Sequence, residues 1–202
     1  MFRSLLGPTS RVARLCMVGS VASAVAVSSG VVWQASYSAY SVTTNNPGNT
    51  WTTGNVALSD DDTGAAVFTA TGLKQGSTGT KCIAVTSTGT LPASVKLYGT
   101  GYSTTNALAS SINLTITQGT GGSFASCSGF TPLASGSAVY SGTLAGFSAS
   151  TGWGNGVGSW TPTGTASDTR VFQITYTVDP AAPVTTQGGS AAITFTWESQ
   201  NT

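Results

Sequence analysis

Phe172-Gln173-Ile174-Thr175-Tyr176-Thr177-Val178 decides the fold. Every second residue is apolar or aromatic, and Gln or Thr fills each gap. Side chains in a strand point to opposite faces in turn, so this spacing buries one face and wets the other. The same alternation runs through Ile112, Leu114 and Ile116, and through Ile193, Phe195 and Trp197. Shorter versions lie at Val56 and Leu58, Ile83 and Val85, and Val95 and Leu97. Val67 to Ala70 and Ala138 to Leu144 are further strand candidates. A helical repeat is absent, and Thr104 to Ser111 reads as a short turn. Gly, Asp, Asn or Pro bounds each run. The pattern predicts an all-β protein of eight or nine antiparallel strands. Two sheets packed face to face make an antiparallel two-sheet β-sandwich, jelly-roll-like in kind.

Composition supports that class. Only 6% of the 202 residues are charged, so hydroxyls and backbone must carry solubility. Three of the seven cations, Arg3, Arg11 and Arg14, crowd the N-terminus. The remainder holds four cations (Lys74, Lys81, Lys96, Arg170) against six carboxylates, a net −2. Such a surface gives nucleic acid no electrostatic footprint. Weak repulsion between copies also favours self-association.

Residues 1–38 read as a signal peptide. The three arginines precede an uncharged Val/Ala-rich stretch from Leu15 to Val32, and small residues follow at Ala35, Ser36 and Ser38. Cleavage is expected near residues 35–38. Residues 39–50 would then be an N-terminal extension and 51–202 the sandwich domain. Beyond Ile193 to Glu198 there is no apolar tail or sorting signal, so the cleaved protein is expected to have no tie to a membrane. Cys16 leaves with the signal, and Cys82 and Cys127 remain to pair in an oxidising compartment. The closed loop of about 46 residues is worth about 4 kcal/mol by chain entropy.

Catalytic constellations are scarce. The sequence lacks histidine, which removes the Ser-His-Asp triad, the Cys-His pair and the helical zinc motif. The one acidic cluster is Asp60-Asp61-Asp62, ahead of Thr63-Gly64. It is a weak calcium candidate, since hard cations collect carboxylate oxygens. The alternative is a turn in which the side chains cap backbone N–H groups. Asp168, Asp179 and Glu198 read as loop and rim residues. Ser148 to Asp168 is polar and glycine-rich and reads as a surface excursion. Its Trp153 and Trp160 either cover one end of the core or form an exposed sugar-binding surface.

Several stretches carry a family likeness. They are Trp51 to Ser59, Thr71-Gly72-Leu73-Lys74-Gln75-Gly76, Lys81 to Thr86, Ser87 to Leu97, and the closing Ile193-Thr194-Phe195-Thr196-Trp197-Glu198-Ser199-Gln200. With the preceding export signal, this order resembles the TasA/camelysin family of secreted bacterial biofilm-matrix proteins. Gln75-Gly76 stands where that family has Pro-Gly, and Tyr98 to Thr169 carries no likeness. The resemblance implies a jelly-roll subunit of extracellular fibres, in which an N-terminal segment adds as a strand to the next subunit. Tyr37, Tyr40 and Val42 lie in the uncharged stretch that would serve. The peptidase activity ascribed to some camelysins is not carried over, because no histidine is present.

The expectation is therefore a secreted, non-enzymatic structural protein whose partner is itself, with matrix polysaccharide as a second partner. It is expected to need no cofactor. The alternative is a secreted carbohydrate- or surface-binding adhesion module.

Overall fold

Ten strands pair in two antiparallel sheets in the computed structural model, which describes residues 41–43 and 54–202. The predicted signal peptide, Tyr37 and Tyr40 lie outside the described residues. In chain order the strands are β1 (Ser41–Thr43), β2 (Leu58–Asp60), β3 (Thr78–Ser87), β4 (Ala93–Thr104), β5 (Ile112–Thr120), β6 (Thr131–Pro132), β7 (Ala138–Thr143), β8 (Val157–Trp160), β9 (Asp168–Val178) and β10 (Ala191–Asn201). One sheet runs β1-β10-β4-β8. The other runs β2-β3-β9-β5, with β6 and β7 both pairing with β5.

The predicted alternation supplies the core. Ile83, Val85, Ile112, Leu114, Ile116, Phe172 and Ile174 face Val95, Leu97, Trp160 and Trp197 of the other sheet. Phe147 is wholly buried and sits between Tyr140 and Phe195, with ring centroids 5.1 and 5.5 Å away. It comes from a single helical turn, α1 (Leu144–Phe147), which Thr143 caps by accepting from the Gly146 N–H at 3.0 Å.

Threonines line the opposite, wet faces. Thr78 bonds Thr177, Thr80 bonds Thr175, and Thr86 bonds Thr169, each across the β3–β9 pair. β-Branched side chains suit a pleated surface, and cross-strand hydroxyl pairs add modest stability without charge.

Three local expectations need correction. Val67 to Ala70 is not a strand. No strand edge receives its backbone, yet burial still draws Val67 and Phe68 against the core, and Phe68 meets Tyr176 edge-on at 5.0 Å. Ser148 to Asp168 is not simply a surface excursion, because β8 lies within it and pairs with β4. Glu198 is not a rim residue: it lies in β10, 8% exposed.

The disulfide forms as expected between Cys82 of β3 and Cys127 of the turn after β5. That turn begins at Gly121 and Gly122, both with φ in the left-handed region (+74° and +81°). Other L-residues are strained there, and a Cβ at Gly121 would also collide with the Gly129 carbonyl.

Phe147→Ala should lower the unfolding free energy by about 3–5 kcal/mol through cavity formation. Chemical denaturation followed by tryptophan fluorescence measures it. A loss under 1 kcal/mol would mean that this ring does not anchor the core.

Candidate functional site

β10 has two unlike edges. On one side β4 pairs with it over its full length, from Ala191 opposite Thr104 to Asn201 opposite Ala93. On the other side β1 covers only its C-terminal end, with Ser41 opposite Gln200, Val42 opposite Ser199 and Thr43 opposite Glu198. Among the described residues, no strand pairs with that second edge from Ala191 to Trp197.

An apolar cleft of about 400 Å³ opens along this stretch. Ile193, Phe195 and Trp197 of β10 form one wall, and Ile112 and Leu114 of β5 form the floor opposite. Val67, Phe68 and Leu73, from the segment between β2 and β3, partly close the mouth. A second recess of about 600 Å³ shares Leu73, Ile112 and Ala191 with the first and continues toward Pro183 to Ser190. The two sheets therefore do not fully seal against each other beside β10.

Asp60 and Asp62 stand at the cleft. Burial raises the Asp60 carboxyl above the usual carboxylate range, and the hydrogen bond and charge of Asp62 add to the shift. Asp62 also accepts from the Gly64 N–H at 2.6 Å and so shapes the turn. Asp61 does different work. One of its oxygens accepts from the Ala84 N–H at 2.8 Å, and the other accepts from the Phe124 N–H at 2.7 Å. It thus ties β3 to the turn that the disulfide also holds.

The three carboxylates were weak calcium candidates together. They are divided among three tasks, and among the described residues no group of three or more acidic, Cys or His side chains is placed to hold a metal. A carboxylate with both oxygens committed to N–H donors has little left for a cation.

Trp153 and Trp160 do not form one surface. Trp160 is 3% exposed, packs near Phe172 and donates its indole N–H to Asp168 at 2.8 Å. Trp153 is half-buried in a short 3₁₀ turn, with the Lys96 ammonium 5.8 Å from its ring centre. Of the three proposed assembly-strand residues, Val42 lies in β1 against Ser199.

Sequence reasoning missed the polar group around Glu198. Tyr98 donates its hydroxyl to one Glu198 oxygen at 2.9 Å, and the Gln200 amide donates to the other at 2.9 Å. Burial first, then the Glu198 carboxylate, pushes the Tyr98 hydroxyl up to about 12. Lys96 is the register partner of Glu198, a pairing that neither strand's own sequence announces.

No family model matches this sequence, and no curated protein matches it either.

Two outcomes follow. Asp61→Ala removes two hydrogen bonds to a charged acceptor and should cost about 2–3 kcal/mol in urea denaturation with the disulfide intact. For Asp60 the native pKa lies above the unfolded value, so its contribution is favourable at low pH and is lost as pH rises through the native pKa. Asp60→Asn should therefore raise the urea midpoint relative to wild type at pH 7.5, with the gap closing toward pH 4. A variant that is less stable than wild type at pH 7.5 would contradict this.

Proposed function

We infer that this protein is a secreted structural subunit that assembles with copies of itself into extracellular fibres. The N-terminal segment of one copy adds as a strand to the open edge of β10 in the next. One observation carries the reading. Ser41–Thr43 already lies antiparallel on the C-terminal end of β10, and the same edge runs on to Ala191 beside an apolar cleft, with no strand partner among the described residues. Those seven residues span about 23 Å, the length of an ordinary strand. An exposed strand edge is a template for another chain, and a strand passed from copy to copy builds an open, head-to-tail assembly. The predicted signal peptide, the low charge and the likeness to matrix-fibre proteins support the same reading. It includes no catalytic step. Matrix polysaccharide remains a second partner.

The adhesion alternative has less behind it. Trp160 is buried, which leaves Trp153 without a second aromatic for a sugar platform.

The native secreted protein should begin near residues 36–39 by N-terminal sequencing and should appear as filaments by negative-stain microscopy. Val42→Pro removes a backbone donor and disfavours regular strand pairing. It should abolish filaments while far-UV circular dichroism stays unchanged. Filaments that survive Val42→Pro, or wild-type protein that stays monomeric at every concentration, would overturn the reading.

A further inference from the structure

Gln118 and Trp197 enter the core from opposite sheets. Gln118 belongs to β5 and is 4% exposed, and Trp197 belongs to β10 and is 3% exposed. The Gln118 amide nitrogen donates to the Gly136 carbonyl at 2.6 Å, which fixes the side chain and turns its oxygen the other way. Among the described residues that oxygen has no hydrogen-bond partner, and neither has the Trp197 indole N–H. One is an acceptor and the other a donor. Both residues line the same small void, of about 10 Å³, together with Trp160 and Phe172.

Buried polar atoms in native proteins are almost always paired, by protein or by an ordered water. Two complementary orphans facing one void are therefore informative. The volume is close to what one water molecule needs, and the two unpaired atoms are one acceptor and one donor. Lys96 and Gly158 also line it, at the irregularity in the β4–β8 pairing where the ladder is interrupted.

We propose that this void is a built binding site for a single structural water, which accepts from the Trp197 indole N–H and donates to the Gln118 side-chain oxygen. The water joins the two sheets through the middle of the core. It also has a consequence for the cleft beside β10, because Trp197 lines both spaces. The same water holds the indole that forms part of the cleft wall. The inference does not depend on whether copies assemble.

The test is solution NMR on folded protein labelled with nitrogen-15, with Trp197→Phe used to assign the indole signal. The Trp197 indole proton should give a cross-peak to a water with a residence time well beyond that of surface hydration. Gln118→Leu, which substitutes an apolar side chain of similar bulk, should lose that cross-peak. A wild-type protein without the cross-peak overturns the proposal, and so does a Gln118→Leu spectrum in which it persists at full strength. Should Gln118→Leu fail to fold, the wild-type spectrum decides alone. A crystal structure that places the indole nitrogen within hydrogen-bond distance of the Gln118 oxygen would also overturn it.

Discussion

Trp197 packs on Phe172 with ring centroids 5.3 Å apart, and the two sheets meet through that contact. Trp160 continues the stack at 6.4 Å from Phe172. A sandwich exists only while its inner faces exclude bulk water, so these large rings set the spacing of everything else. Aromatic pairs contribute through buried area first and through tilted ring geometry second. Because Trp197 lies on β10, the strand that bears the open edge also holds the core together. Substituting at the edge and substituting in the core are therefore hard to separate on this strand. A change at β1 tests the edge more cleanly.

Outside the core, the second sheet is braced twice at one point. The Cys82–Cys127 disulfide and the Asp61 carboxylate both fasten the turn after β5 to β3. One brace acts by shortening the unfolded chain and the other by satisfying two N–H donors. The contributions differ in kind, so a reducing environment weakens the bracing without releasing the turn. This places Asp61 among the structural elements, while Asp60 and Asp62 stand at the cleft.

Much of the fold was legible in the sequence because β5, β9 and β10 obey a strict two-residue period. β8 broke the rule. Val157 and Trp160 are three residues apart, and Gly158 between them adopts φ of +90°, so an irregularity in pairing brings both rows onto β4. α1 is a single turn, too short to show a helical repeat. The burial of Glu198 depends on its cross-strand neighbours Tyr98 and Lys96, and register is not visible in a single strand. The cleft was the least legible feature. It arises where one strand lacks a neighbour, which is a property of topology and leaves no local mark. The family likeness implied an N-terminal strand that adds to another subunit; within this chain Val42 lies in β1, opposite Ser199 of β10. It gave no indication of the edge beside it.

β1 and β10 bring the two ends of the described chain together, with Ser41 opposite Gln200. Residues 44–57 separate β1 from β2 in the sequence. A strand joined to its edge within one chain sees that edge at an effective concentration on the order of millimolar. At the C-terminal end of β10, a strand from another chain in dilute solution therefore competes poorly with β1. A second chain would displace β1 from Glu198 to Gln200 only at a high local concentration. The stretch of β10 from Ala191 to Trp197 meets no such internal competitor among the described residues.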